Sequence, residues 1–280
     1  MQFEYFRPRE DVRSLVGSYY DLTIPGALAD VMRAEIANLR FIIRGNVYSD
    51  LGGKEMKIPA GSVILCGPTF RWSNIRFDAG TVVFGAAITP VGWSRMLKVP
   101  ADACADQILP FEDFIDEDKL PLVKQVLDAT DARARADSAD QLFAALDDAA
   151  VRVHEEFLMQ ATRWIADPEP NELEDLLSAT DLSARQVERL CKTYFGSAPK
   201  RLHRKFRALH SANRLTWQQL TDWRDIATTA YFDQSHFIRE FKKFNGRTPT
   251  EFIKGPHLLV RMTLQERLQI DHDSPFSLVG

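Results

Sequence analysis

Histidine is absent ahead of His154 in this 280-residue chain. Imidazole is the usual protein ligand for zinc, copper, iron and nickel, so the strand-rich front of the molecule cannot hold a His-ligated metal. A Ser-His-Asp set is excluded there for the same reason. Cysteine is scarce as well. Cys66, Cys104 and Cys191 form no close pair and no CxxC, which argues against a disulfide framework and for a reducing compartment. No run approaches the roughly 18 uninterrupted apolar residues of a membrane span. The opening MQFEYFRPRE has no basic segment followed by an apolar stretch, as a secretory leader would. A soluble cytoplasmic protein with no membrane partner, no metal and no cofactor is expected.

Acidic and basic residues are unevenly spread. Residues 1–170 carry 18 Lys and Arg against 26 Asp and Glu, a net of −8, whereas residues 171–256 carry 15 against 10, a net of +5. An acidic front joined to a basic rear suggests that only the rear approaches a polyanion.

The pattern along the chain predicts an α+β protein. FIIRGNVYSDL, SVILCG and TVVFGAAI are short β-branched and aromatic runs, separated by Gly52-Gly53, Pro59-Ala60-Gly61 and Ala79-Gly80, the rhythm of a β-sandwich or small barrel. A short helix is expected near Trp93, ending before Pro100. Leu109–Phe114 reads as a strand or a packed loop. From about Leu120 the reading turns helical. Leu142, Leu146, Ala149, Val153, Phe157 and Trp164 recur at three-, four- and seven-residue steps, predicting one long amphipathic helix over 141–166. A stripe that long needs a partner surface, either the barrel or a second copy in a homodimer. Asp167-Pro168-Glu169-Pro170-Asn171 then breaks the chain. The expected divisions are 1–118, 119–168, 169–256 and an extension at 257–280. LLVRMTLQERLQI in that extension is apolar enough to pack back on the protein.

Past the break, Asn171 is placed to cap a helix through ELEDLLSAT. Ser183 is placed to cap a second, ARQVERLCKTYF, ended by Gly196. Val187, Leu190 and Cys191 share one side of it, with Tyr194 and Phe195 close by, and Arg185, Glu188, Arg189 and Lys192 take the other. The arrangement recurs: Asp225-Ile226-Ala227 starts a helix, Ala230-Tyr231-Phe232 turns, and Asp233 caps QSHFIREFKKFN up to Gly246. Phe237, Phe241 and Phe244 form its buried stripe, while Gln234, Ser235, Ile238, Arg239 and Lys242 lie outward. KRLHRKFRALHSANRL is a basic linking helix between the two. Helix, short turn, helix is the form of a DNA-reading unit, and each unit here ends on an aromatic near a glycine with a proline soon after (Phe195-Gly196…Pro199, Phe244…Gly246…Pro249).

SARQVERLCKTYFGSAPKRL and DQSHFIREFKKFNGRTPTEF resemble the double helix-turn-helix domain of the AraC family of bacterial regulators, over roughly 171–254. The resemblance implies a seven-helix domain that sets two recognition helices in successive major-groove segments of double-stranded DNA, with RNA polymerase as the partner of an activator. It makes Arg185, Glu188 and Arg189 the first reading set and Gln234, Ser235, Ile238 and Arg239 the second. Arg suits guanine, Gln adenine and Glu cytosine, and Ile238 can meet only a thymine methyl. Lys192, Arg201, Lys242 and Lys243 suit phosphates, which position without specifying. Asp181 and Ala230 stand where the family usually carries turn glycines, and Leu177 where a small alanine is typical.

The resemblance also implies a cupin-like front module that binds an effector or dimerises. A cupin can be a metal enzyme, but the missing histidines remove that chemistry, and no enzymatic activity is expected. Trp72, Phe84 and Trp93 with Arg40, Arg44 and Arg71 could line a pocket for an apolar or aromatic carboxylate. The same aromatics would serve equally as barrel core and the arginines as solvated surface. The resulting expectation is a sequence-specific, effector-responsive transcription activator. The alternatives are a regulator whose front module only dimerises, and a ligand-binding barrel with a protein-interaction module.

Overall fold

The computed structural model describes residues 1–167, 172–226, 233–255 and 257–267. Ten strands form two antiparallel sheets. One has the order β1 (Gln2–Phe6), β2 (Val16–Ile24), β9 (Thr81–Ile88), β4 (Asn38–Arg44), β7 (Val63–Cys66), β10 (Ile108–Pro110). The other runs β3 (Leu28–Met32), β8 (Ser73–Phe77), β5 (Val47–Ser49), β6 (Met56–Ile58).

Side chains on a strand alternate between faces, and the larger sheet uses both. Tyr19, Leu39, Phe41, Leu65 and Phe84 point one way into a dry core. Helices α1 (Pro90–Leu97), α2 (Leu120–Asp128) and α3 (Ala132–Leu146) cover that face, contributing Trp93, Val126 and Phe143. Leu22, Ile42, Ile64 and Val83 point the other way, toward Ile75 and Phe77 of the smaller sheet. The space between the sheets is the interior of a β-sandwich.

The single amphipathic helix expected over 141–166 is instead two. α3 ends at Leu146 and α4 spans Glu155–Ala166. Asp147 is drawn off the helix into an ion pair with Arg95 of α1 at 2.8 Å, and the His154 N–H donates to the Tyr194 hydroxyl at 3.2 Å. The stripe is divided accordingly. Leu142 lies in the dry core, while Phe157 and Trp164 join a second cluster with the rear helices. Both halves find their partner surface within the chain, so the stripe requires no second copy.

The rear is helical. α5 (Leu173–Ser178) and α6 (Ala184–Phe195) are followed by α7 (Pro199–Trp217), α8 (Gln234–Asn245), α9 (Pro249–Lys254) and α10 (Leu258–Arg267). The α5 cap is Glu172, in a reciprocal capping box with Asp175. The expected cap Asn171, the turn Ala230-Tyr231-Phe232 and the chain beyond Arg267 lie outside the described residues.

Candidate nucleic-acid interface and barrel cavity

α6 begins where Ser183 Oγ accepts from the Gln186 N–H and the Gln186 side chain returns to the Ser183 N–H at 2.9 Å, so two amides without helical partners are satisfied together. It stops at Gly196, whose φ of 84° suits glycine. Val187, Leu190 and Cys191 are buried against α4 and α7. That packing leaves Arg185, Glu188 and Arg189 exposed on the opposite side. Glu188 is held there by Lys192 at 2.7 Å, an exposed i,i+4 pair. Its carboxyl lies below the usual range because Lys192 donates to it. An exposed pair of this kind contributes little to stability, so neither group is tied to its partner.

α8 repeats the plan. Asp233 accepts from the Ser235 and His236 amides, and Gly246 ends the helix at φ 77°. Phe237, Phe241 and Phe244 are fully buried. Gln234, Ser235, Arg239, Lys242 and Lys243 are exposed, and Ile238 is half-buried against the cluster beneath it. In the first unit Leu177 packs on the second cluster and Asp181 is exposed.

One group that the sequence left unassigned holds the units together. Glu240 is 1% exposed and lies on the buried side of α8, where it pairs with Arg204 of α7 and, at 2.6 Å, with Arg207. The signal was present: Glu240 falls three residues after Phe237 and four before Phe244, on the apolar stripe itself. Part of the basic run in α7 is therefore committed to a buried carboxylate. Arg201 is also engaged, pairing with Asp106 at 3.2 Å and lying 4.5 Å over the Phe70 ring. It thus faces the barrel.

Between the sheets lies a cavity with about 80 Å³ of open space. Its wall is mainly apolar, with Arg33, Glu35, Arg40 and Arg267 as its charged residues. Arg40 Nη2 pairs with Glu35 at 2.5 Å and its Nε donates to Tyr20 Oη at 2.8 Å. Burial works against the Arg40 guanidinium, but Glu35, Tyr20 and Cys66 more than offset it and hold the group charged. Burial pushes the Tyr20 hydroxyl up to about 12 and raises the Cys66 thiol.

Of the six residues expected to line a pocket, the structure places only Arg40 on this cavity. Phe84 and Trp93 sit on the opposite face of the larger sheet, where Trp93 Nε1 donates to the Val99 carbonyl at 2.6 Å. Arg44 is exposed and bonds the Gly80 carbonyl. Arg71 is exposed, and Trp72 packs beside Gly246 of the second unit. For Phe84 strand parity is the physical reason, since one step along a strand changes the face a side chain serves; Trp93 lies on α1 and Arg71 and Trp72 precede β8.

The barrel and the rear helices are bolted together along β3 and the connection that follows it. The Ala34 N–H donates to the Phe244 carbonyl at 2.7 Å, Arg33 to Asn213 at 2.7 Å, and Lys205 to the Glu35 carbonyl at 2.6 Å. Arg247 pairs with Asp30 at 2.7 Å.

Residues 176–255 match a family model described as a helix-turn-helix domain. That segment is an AraC-type helix-turn-helix domain. The chain that carries it is a DNA-binding transcription regulator. Among solved structures it is similar to ToxT from Vibrio cholerae at 10% identity, covering 90% of this chain and 98% of that one with a TM-score of 0.48. A ToxT structure bound to (E)-4-(8-methylnaphthalen-1-yl)but-3-enoic acid gives the same identity and coverage with a TM-score of 0.49. A predicted oxalate decarboxylase from Thermotoga maritima matches at 14% identity over 31% of this chain and 77% of its own, with a TM-score of 0.26. The comparison with curated proteins returned no match. Among the described residues no helix is long and apolar enough to cross a membrane.

Proposed function

We propose that this regulator is an activator that reads one operator with α6 and α8 in successive major-groove segments and responds to a small molecule held between the sheets. Arg185, Glu188 and Arg189 form the first reading set, and Gln234, Ser235, Ile238 and Arg239 the second. Lys192, Lys242 and Lys243 contact phosphates. Arg201 is a weaker candidate for that role, because its guanidinium is already engaged with Asp106 and Phe70. The carrying observation is the repeated architecture: two twelve-residue helices each bury an apolar stripe and leave a polar, cation-rich side to solvent. Activation implies a contact with RNA polymerase, and DNA binding implies a cytoplasmic protein.

No catalytic role is assigned to the cavity. A thiol or phenol acts as a nucleophile when its pKa is lowered, whereas burial raises both Cys66 and Tyr20. The cavity is suited to holding a ligand.

Footprinting across a salt series tests the DNA assignment. Two adjacent protected major-groove segments and a steep fall of affinity with salt are expected, since several phosphate contacts release counterions. Protection of one segment alone, or an affinity indifferent to salt, would overturn it in favour of a protein-interaction module.

A further inference from the structure

The described part of the C-terminal extension, helix α10, lies on the cavity. α10 turns Leu259, Val260, Thr263 and Arg267 toward the same space that Arg33 and Glu35 line from the barrel. The helix is equally attached to the second DNA-reading unit. Val260 and Leu264 pack with Leu215 of α7 and with Phe237 and Phe241 of α8. Trp217 Nε1 donates to the Leu264 carbonyl at 2.9 Å. One carboxylate closes the joint, because Asp30 accepts from the Leu259 N–H at 3.0 Å and from Arg247 at 2.7 Å.

The polar end of the cavity carries an electrostatic mismatch. Arg267 donates from Nε to Tyr5 Oη at 2.7 Å, yet its Nη1 is buried without a hydrogen-bond partner among the described residues. Arg33, 5% exposed, lines the same cavity. Burial, together with the charge of Arg267, lowers its pKa to about 9. A buried guanidinium N–H left unpaired is costly, and two guanidiniums that repel each other are both relieved by one anion. The remaining wall is hydrocarbon, including Leu22, Ile42, Ile75 and Phe77.

Size adds a second constraint. A cavity of about 150 Å³ holds a benzene, and the open space here is about 80 Å³. Any ligand with a chain of several carbons therefore enters by displacing part of the wall. The barrel strands are hydrogen-bonded to their neighbours along their length, whereas α10 closes the cavity as one short helix.

We propose that α10 is the lid of the effector cavity and Arg267 its anion-binding residue, so that an amphiphile with a single carboxylate is clasped between Arg267 and Arg33 and its binding is felt by α8 through α10. The proposal rests on the reading of the cavity as the effector site.

Calorimetric titration of the full-length protein with oleate, and with oleyl alcohol as its uncharged counterpart, tests it. Oleate binding is expected to weaken about tenfold or more in Arg267→Met, to recover substantially in Arg267→Lys, and oleyl alcohol binding to stay unchanged in both. Recovery in the lysine variant excludes simple misfolding. Oleate is also expected to alter operator affinity in the unaltered protein and to lose that effect in Arg267→Met. If Arg267→Met binds oleate as tightly as the unaltered protein, the role of Arg267 is overturned and the effector reading stands. If neither probe binds the unaltered protein, the effector reading itself falls.

Discussion

α6 and α8 are both twelve residues long, both start on a side-chain cap and both end on a left-handed glycine, yet different neighbours hold them. α6 packs on α7, on α1 and on the 3-10 turn Ala101–Cys104, and a Cβ added to Gly196 would lie 2.4 Å from Pro68 Cγ, outside the cavity. α8 packs mainly on α7 and shares a cluster with α10, its last turn accepts the Ala34 amide, and a Cβ on Gly246 would lie 2.3 Å from Val31 Cγ1 and 3.1 Å from Trp72. The residues that touch α8 are continuous with the cavity wall. The two helices therefore have unequal connections: α6 meets the front module at α1 and the Ala101–Cys104 turn, whereas α8 meets it beside the residues of the cavity wall.

The strongest challenge to this contrast comes from the core under each helix. Phe241 is fully buried and packs edge-on against Phe237 and Phe252 at centroid distances of 5.5 and 5.4 Å. Phe241→Ala should cost about 3–5 kcal/mol in urea unfolding. It should also loosen α10, which shares that cluster, and so blunt any ligand response. Leu190→Ala should cost about 2–5 kcal/mol while leaving the ligand response intact. If both variants lost the response to the same degree, the two units would be equally connected and the contrast would be gone.

The glycines offer a smaller and more local comparison. Alanine at either position adopts a left-handed conformation and crowds its neighbour, costing roughly 1–3 kcal/mol. Gly246→Ala pushes on Val31 and Trp72, so it should change the ligand-induced shift in operator affinity. Gly196→Ala pushes on Pro68 and should lower thermal stability without that change. A titration of operator DNA with and without ligand decides it, and identical behaviour of the two variants counts against a selective connection.

Much of the rear was legible because its signals agree. Ser183 and Asp233 are cap residues at the right offset, Gly196 and Gly246 are terminators, and the apolar positions between them keep a helical period. The sandwich was legible as strands for a similar reason. Its inner face was not. Residues 39–42 read Leu-Arg-Phe-Ile, apolar on both sides, so parity alone could not say whether Phe84 or Val83 meets the ligand space. The break at Asp147 was hidden because it depends on Arg95, more than fifty residues away in sequence. Glu240 was passed over as one charge among many, though its place on the phenylalanine stripe marked it. The extension carried an apolar pattern with no local clue to the surface it covers, because that surface is assembled from the barrel mouth and α7 together.

Base contacts are the next test in order of size. Arg239→Ala and Arg189→Ala should each cost on the order of 1–3 kcal/mol of operator affinity and relax preference at one base pair, in different halves of the site. Lys242→Ala should instead weaken all sequences alike and reduce the salt slope by about one. Selection of operator variants by each protein provides the measurement. Arg239→Ala weakening every sequence equally would make it a phosphate contact and leave the second unit with Gln234 as its main reader.

A pH-dependent effect concerns Lys205, which stands on α7 between the two units and holds the Glu35 carbonyl at the cavity wall. It is 1% exposed, and burial lowers its pKa from 10.5 to about 7. Between those values the unfolded chain binds a proton that the folded chain has released, so folding stability from this residue rises as pH climbs from 7 toward 10.5. The slope cannot exceed about 1.4 kcal/mol per pH unit. Urea midpoints of the unaltered protein should therefore increase across that window more than those of Lys205→Met, which has no group to titrate. Parallel curves would mean that the ammonium stays charged in the fold, held by the Glu35 carbonyl and the Phe70 ring 4.7 Å away. The link from the cavity wall to α7 would then be a buried cation whose strength does not change with pH.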